Sequence, residues 1–155
     1  MKLKTLVYLL SLSQSWADTQ TSVFTVSTTV VANCTISTNN LSFGNYSGTQ
    51  VDASSAMTIN CTNGTPYSVA LNVGTGAGAN FSNRLMTSGG STMTYNLFTD
   101  TTRTIIWGDG TGGSQTVSNT GSGTDQTLTV YGRLTGSQTP ATGTYMDTIT
   151  ATITY

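Results

Sequence analysis

The last eleven residues of the chain, 145–155, alternate between two kinds of side chain. One set is mostly apolar, and the other consists of Met146 and four threonines; the first set is Tyr145, Asp147, Ile149, Ala151, Ile153 and Tyr155. Because successive side chains of a β-strand point to opposite faces, this pattern places an apolar row opposite a threonine row. It predicts a half-buried strand.

The same two-residue period recurs along the chain, between clusters of Gly, Asn, Ser and Asp, and no useful stretch shows the period of a helix. We predict strands at residues 24–30, 41–43, 56–61, 67–73, 93–99, 104–107, 128–134 and 145–155. The Gly- and Ser-rich segments 74–80 and 108–123 are predicted to be loops. Short strands joined by Gly-rich turns predict an all-β, antiparallel β-sandwich, and 155 residues suffice for one domain.

The composition narrows the range of functions. Charged residues make up 7% of the chain, which lacks the Lys and Arg clusters that a nucleic-acid partner requires. There is no histidine, and all six acidic residues are scattered aspartates. Several lie beside turn glycines, where turn and hydrogen-bonding roles are expected. We therefore predict that the chain is not an enzyme and uses no cofactor.

The first seventeen residues resemble an export signal. Lys2 and Lys4 precede a short apolar run at 6–12, and Ser15-Trp16-Ala17 offers small residues at the −3 and −1 positions of a cleavage site. The apolar run is far shorter than the roughly 20 residues that span a bilayer. We expect cleavage after Ala17, secretion, and no stable membrane insertion of the mature chain.

Two cysteines, Cys34 and Cys61, are present. In an exported protein such a pair predicts a disulfide, whereas a metal site would need further Cys or His ligands. The bridge is worth roughly 3–4 kcal/mol in the chain-entropy model. No metal site is predicted, although loop aspartates are the alternative candidates for binding a cation such as calcium: Asp100, Asp109 and Asp125.

Seven short motifs, in this order, carry a resemblance to a known family. They are Leu41-Ser42-Phe43-Gly44-Asn45-Tyr46, Ile59-Asn60-Cys61 with Leu71-Asn72-Val73-Gly74, Arg84-Leu85-Met86, Tyr95-Asn96-Leu97-Phe98-Thr99-Asp100, Trp107-Gly108-Asp109-Gly110, Val130-Tyr131-Gly132-Arg133, and the segment 143–155. Together they resemble the spore coat protein U family, which includes the pilins of archaic chaperone–usher pili. The resemblance covers essentially the whole of the chain after the export signal.

The resemblance implies an incomplete immunoglobulin-like sandwich that lacks its final strand. In such pilins, the N-terminal extension of the next subunit supplies the missing strand by strand addition. A periplasmic chaperone occupies the groove before assembly, and an outer-membrane usher exchanges it for the next subunit. The implied partners are thus other pilin subunits, a chaperone and an usher, and the chain would pass through the periplasm to a surface pilus. The sandwich domain would span residues 34–155, with no residue after Tyr155 to supply another strand.

The segment 18–33 is the predicted donor extension. Phe24, Val26, Thr28 and Val30 form its apolar row, and a shift by one residue would present a much poorer face. Thr28 interrupts this row, so the pocket it enters should be shallow or should offer a hydrogen-bond partner. The alternative is that 24–30 is the first strand of a self-contained sandwich.

The sequence favours a structural pilin that assembles by donor-strand exchange into a thin fibre for attachment and biofilm formation. One alternative is a coat or matrix protein of a spore or cell surface. Another is a small module that binds a carbohydrate or a surface through exposed aromatic side chains, although core and rim positions are the more frequent use of aromatics on strands. The candidates are Tyr67, Tyr95, Phe98, Trp107 and Tyr131.

Overall fold

The computed structural model describes residues 16–155, so the predicted export signal lies almost entirely outside the described residues. Within this range the secondary structure consists of eight strands and no helix. The strands are β1 (Cys34–Thr38), β2 (Val51–Cys61), β3 (Pro66–Leu71), β4 (Arg84–Ser88), β5 (Ser91–Phe98), β6 (Val117–Thr120), β7 (Gln126–Leu134) and β8 (Ala151–Thr154).

The strands form two antiparallel sheets. One sheet has the order β1-β2-β7-β5-β4, and the other has the order β6-β3-β8. The longest pairing joins β2 to β7, from Val51 opposite Leu134 to Ile59 opposite Gln126. In an immunoglobulin-like sandwich, strands A, B, E and D form one sheet and C, F and G the other. Here β1, β2, β7 and β5 occupy positions A, B, E and D, while β3 and β8 occupy C and F.

Position G, which would lie beside β8, contains no strand of the described chain. The expected fold is thereby confirmed: an immunoglobulin-like sandwich in which β8 is an edge strand where a neighbour is normally found.

The core lies between the two sheets. Trp107 and Val69 are fully buried, and the Trp107 indole N–H donates to the Val69 carbonyl oxygen at 2.9 Å. Four of the five aromatics considered for carbohydrate stacking are buried, and Tyr131 is half-buried. They are core and rim residues, as expected from their positions on strands, and they do not form the exposed aromatic face considered as an alternative.

Several strand boundaries differ from the sequence prediction. Residues 41–43 and 104–107 are not strands: Leu41 and Phe43 are partly buried against the core without backbone pairing, and Ile106 and Trp107 form only isolated bridges. Only Ala151–Thr154 of the predicted strand 145–155 pairs as a strand, although its side chains alternate in burial as far as Thr154.

Three strands were missed. β1 carries only one apolar side chain besides Cys34, and β6 lies inside the Gly- and Ser-rich segment that was predicted to be a loop. β4 is a short hairpin partner of β5, and its first residue is a buried arginine, Arg84.

The cysteines form the predicted disulfide. Cys34 lies directly opposite Cys61 in the β1–β2 register, and their Cα atoms are 4.1 Å apart. The bridge fixes the edge strand β1 to the sheet at the point where the sandwich domain begins.

The chain divides into two units, and residues 16–30 belong to the first while all eight strands belong to the second, Val31–Tyr155. Every residue from 16 to 30 is exposed, and none is in a strand. The predicted strand 24–30 is therefore wrong for this structure. A β-strand requires a hydrogen-bonded partner, and this segment has none within the described chain.

Candidate functional site

The sandwich has an open groove with a volume of about 1130 Å³. Apolar side chains of the core contribute to its lining, namely Met57, Leu71, Met86, Met93, Leu97 and Leu134. Three of these are methionines, whose unbranched and polarisable side chains adapt to neighbours of different shape. These six side chains are themselves almost completely buried, so the groove borders directly on the core of the sandwich.

Two irregular segments border the groove. One is 38–48, which follows β1, and the other is 138–151, which leads into β8. The Phe43 ring packs edge-on against Tyr95 with 6.0 Å between ring centroids. The backbone N–H of Gln138 donates to the Tyr46 hydroxyl at 2.8 Å and joins the two borders. These contacts fix one border to the sheet and the two borders to each other.

The backbone beside the groove has free hydrogen-bonding groups. Asn72 donates its backbone N–H to the carbonyl oxygen of Thr150 at 3.0 Å, so the backbone groups of Thr150 face β3. Since neighbouring residues of a strand point their backbone groups to opposite sides, those of Ile149, Ala151 and Ile153 face the open edge. Such an edge is a template for an additional strand.

Asp147 contributes a carboxylate to the groove lining. Its Oδ1 atom accepts hydrogen bonds from the Thr75 backbone N–H, the Thr75 hydroxyl and the Thr148 backbone N–H, each at 2.7 Å. Its Oδ2 atom accepts one hydrogen bond, from the Tyr95 hydroxyl at 2.7 Å. The carboxylate thus accepts four hydrogen bonds, three at Oδ1 and one at Oδ2, and one lone pair of Oδ2 remains for a further donor.

The neighbours of Asp147 set its charge state. Burial alone would raise the pKa of Asp147, but the hydrogen bonds from Thr75 and Tyr95 outweigh burial and hold the pKa below its ordinary value of 3.8. Burial also raises the pKa of Tyr95, with the hydrogen bond to Asp147 and its negative charge acting in the same direction. At neutral pH the groove therefore contains an ionised carboxylate beside a protonated phenol.

Gly74 makes room for this carboxylate. Its φ angle is +93°, which other residues rarely adopt, and a Cβ atom placed there would overlap the Asp147 carboxylate. A glycine is thus required both by the backbone turn and by the position of Asp147.

Arg84 is connected to the edge of the groove by hydrogen bonds. Its side chain is fully buried, and its guanidinium donates to the carbonyl oxygens of Asn72 and Trp107 and to the side chain of Asn96. Asn72 in turn holds Thr150 through both its backbone N–H and its side-chain oxygen. The buried arginine is thereby linked to the edge of the groove in two steps.

The predicted donor side chains are strongly exposed. Phe24, Val26 and Val30 are 88%, 83% and 79% exposed, and Thr28 is exposed as well. These residues lie in the separate unit 16–30, so their role as donors stays a prediction. An exposed row of large apolar side chains is unusual for a soluble protein and often marks an interaction segment.

The loop aspartates considered as cation ligands are not brought together. Asp100 accepts hydrogen bonds from the backbone N–H groups of Thr104 and Ile105, and Asp109 accepts from Thr111 within its own turn. Asp125 accepts from the side chain of Asn60. Residues 16–155 contain no group of three His, Cys, Asp or Glu side chains that could hold a metal ion. The expected turn and hydrogen-bonding roles of these aspartates are confirmed.

Sequence reasoning missed Asp147 and Arg84 as parts of this site. Asp147 was the one charged residue on the mostly apolar face of the 145–155 alternation, and a charge at an inward position is a signal that could have identified it. Arg84 carried no comparable signal, because its burial depends on carbonyl groups that come together only in the folded chain.

The Spore Coat Protein U domain family model matches residues 20–152. The chain belongs to this family. The matched region begins within the exposed segment. It includes β1 to β7 and the first two residues of β8 in the Spore Coat Protein U sandwich. The resemblance stated from the sequence motifs is thereby confirmed.

A solved structure has a similar fold: one chain of the CsuC–CsuE chaperone–tip adhesion subunit pre-assembly complex from the archaic chaperone–usher Csu pili of Acinetobacter baumannii. The TM-score is 0.63 and the sequence identity is 27% over 82% of this chain. The alignment covers 40% of that chain, so the present protein corresponds to less than half of its neighbour's length. A search of curated protein sequences gives no match.

No helix within residues 16–155 has the length and apolar character needed to cross a membrane.

Proposed function

We propose that this protein is a structural subunit of a chaperone–usher pilus that polymerises by donor-strand exchange. Segment 18–33 of one copy fills the groove of the next copy and completes its sandwich at position G. The resulting thin surface fibre serves attachment and biofilm formation. The subunit passes through the periplasm after removal of residues 1–17, bound to a chaperone, and an outer-membrane usher joins it to the fibre.

The observation that carries the proposal is the open groove beside the edge of β8. It has an apolar lining and unpaired backbone groups in one place, which is the combination that an added β-strand requires. Family membership and the structural similarity to a chain from a Csu pilus complex support the same conclusion.

The exposed segment is a suitable occupant for the groove. Its apolar row alternates with small polar residues such as Thr25, Ser27 and Thr29. An added strand would therefore direct Phe24, Val26 and Val30 into the groove and its polar residues to solvent. Burial of each large apolar side chain is worth roughly 1.5–3 kcal/mol, which is opposed by the entropy lost when a flexible segment becomes ordered.

Paired aspartate substitutions in the exposed segment test the proposal. In Val26→Asp a charge would enter an apolar groove and the variant should not polymerise, because an unpaired buried carboxylate is strongly disfavoured. The matched control, Ser27→Asp, changes the outward face and should polymerise as the unmodified chain does. Fibre formation would be measured by electron microscopy and by the ladder of multimers on gels.

Equal effects of the two substitutions would contradict the donor register. Ordered fibres from a chain that lacks residues 18–31 would contradict donor-strand exchange altogether. If the unmodified chain forms only amorphous deposits under the microscope, the coat or matrix function predicted as an alternative would replace the pilus.

A further inference from the structure

The groove contains one carboxylate, and the apolar donor row contains one hydroxyl. Asp147 lines the groove, and its Oδ2 atom accepts only the hydrogen bond from Tyr95 among the described residues. Thr28 lies between Val26 and Val30 on the face that would enter the groove. The Thr28 hydroxyl would be costly to bury in the groove without a hydrogen-bond partner, and the Asp147 carboxylate is an acceptor on the groove lining.

We propose that Thr28 of an incoming copy donates its hydroxyl hydrogen to Oδ2 of Asp147 and thereby fixes the register of the donor strand. This inference rests on the proposed function and specifies one alignment among several that the apolar row alone would permit. The Asp147 carboxylate is the acceptor, and the threonine methyl group contacts the apolar lining beside it.

The direction of the donor strand follows from the fold. A strand at position G of an immunoglobulin-like sandwich runs antiparallel to strand F, which is β8 here. The side chains that face inward along this border belong to Tyr145, Asp147, Ile149 and Ala151, and all four line the groove. With Thr28 opposite Asp147, Val26 lies opposite Ile149.

This register also pairs large side chains with small ones at its ends. Phe24 lies opposite Ala151, where a small residue leaves space for a phenyl ring, and Val30 lies opposite Tyr145. Complementary sizes at facing positions are what close packing requires.

Registers shifted by two residues would place an unsuitable side chain opposite the Asp147 carboxylate. A shift in one direction places Val30 opposite Asp147 and Thr28 opposite Ile149. A shift in the other direction places Val26 opposite Asp147. Either shift puts an apolar side chain against the carboxylate and leaves Oδ2 without its additional donor.

Disulfide trapping in polymers of the full-length chain tests the register directly. Residues directly opposite each other in an antiparallel pair have Cα atoms about 5.5 Å apart, within disulfide range, whereas diagonal neighbours lie about 7–8 Å apart. The variant with Val26→Cys and Ile149→Cys should form covalent multimers that collapse to monomers with a reductant. The matched variant with Val26→Cys and Ala151→Cys should remain largely uncrosslinked.

The outcomes separate the register from the proposed function. Cross-linking only in the Val26–Ala151 pair, or in neither pair of a chain that still polymerises, would overturn the register and leave donor-strand exchange intact. A covalent bond within a single chain, seen as a compact monomer, would overturn both. Absence of polymers from the unmodified chain would overturn the proposed function and the register with it.

Substitutions at Thr28 test the hydrogen bond without altering the groove. Thr28→Val keeps the shape and removes the hydroxyl, so the donor strand should dissociate at least about tenfold faster, since a hydrogen bond to a charged group corresponds to about this factor. Thr28→Ser keeps the hydroxyl and should retain most of the bond. With Asp147→Asn in the acceptor, the difference between threonine and valine should shrink.

An equal dissociation rate for the threonine and valine donors on an unmodified acceptor would overturn the role of Thr28. Dissociation would be measured by exchange of a labelled terminal subunit at neutral pH.

Discussion

Arg84 is an unusual residue in a chain with so few charges. It is fully buried, yet no carboxylate within residues 16–155 pairs with it directly. Its partners are the carbonyl oxygens of Asn72 and Trp107 and the side-chain oxygen of Asn96. Burial lowers its pKa, while the nearby Tyr95 and Asp147 act in the opposite direction. A guanidinium can join several carbonyl groups at once because its donors are fixed in a planar fork.

We predict that Arg84→Met lowers the free energy of unfolding by about 2–4 kcal/mol, because buried carbonyl groups lose their donors. The matched control is Arg133→Met, which removes a partly exposed pair with Asp52 at 2.8 Å and should cost less than about 1 kcal/mol. Denaturant unfolding of both variants in the Val26→Asp background, where the chain is expected to be monomeric, measures the difference. Equal losses would contradict the structural role of the buried arginine.

The depressed pKa of Asp147 has a consequence for acid stability. A carboxylate whose folded pKa lies below its unfolded value stabilises the fold fully above the unfolded value of about 3.8, and this contribution is lost as the pH falls through the folded pKa. We expect the Asp147 carboxyl to titrate below pH 3.8 by NMR. In Tyr95→Phe its midpoint should move upward because one stabilising hydrogen bond is removed. A midpoint above the ordinary value in the unmodified chain would contradict the hydrogen-bond network.

At the scale of the strands, the segment 145–154 presents one face to solvent and the other to the groove. Its outward threonines are solvated and most of its inward side chains line the groove. Among residues 16–155 its backbone pairs on the side of β3 and β4 and not on the other side. Because inward and outward side chains alternate along this segment, separate substitutions can test each face. Ile149 faces inward and Thr150 faces outward, and the side chain of Thr150 is exposed.

We predict that Ile149→Asp prevents a subunit from accepting a donor, whereas Thr150→Asp does not. A subunit with Ile149→Asp still carries a normal segment 18–33, and a subunit with Val26→Asp still has a normal groove. Each variant alone should remain monomeric, and an equal mixture should form dimers and nothing larger. Light scattering with size-exclusion chromatography measures this, and circular dichroism checks that each variant is folded. Fibres from either variant alone would contradict the division between donor and acceptor.

The strands that could be predicted from the sequence are those with several apolar residues at every second position. This is true of the inner strands β2, β3, β5 and β7, and the alternation preceding β8 also predicted which side chains face inward. β1, β4 and β6 lie at sheet edges and carry few apolar side chains, so the period alone could not reveal them. Leu41 and Phe43 were misassigned because their burial comes from packing against β7 at Gly132, without a strand partner.

The candidate site was predicted only in part. The apolar row of the donor segment and the disulfide followed from local patterns, and the missing strand came from the family resemblance. Of the core methionines that line the groove, Met57 comes from β2, whereas Met86 and Met93 come from the β4–β5 hairpin about thirty residues further along the chain, so their convergence could not be read from the sequence. The hydrogen bonds of Asp147 likewise depend on Thr75 and Tyr95, which only the fold brings near.

At the scale of the whole molecule, each of the two units has a surface that is unfavourable in water. The sandwich Val31–Tyr155 exposes a groove and a free strand edge, and the segment 16–30 exposes a row of apolar side chains. Both features are unfavourable in an isolated soluble protein, and the proposed binding of one copy to another would relieve each of them. Such an arrangement favours growth of a linear assembly over a closed dimer, because each contact joins different surfaces of the two copies.

The most direct test of this account is the thermal stability of a rearranged chain in which residues 18–33 follow Tyr155 through a short glycine-rich linker. This chain can fill its own groove, so we predict a soluble monomer. Its unfolding midpoint should lie at least about 10 °C above that of the same rearranged chain with Val26→Asp, since several buried apolar side chains contribute. Equal midpoints, measured by calorimetry, would contradict the claim that the groove receives this segment.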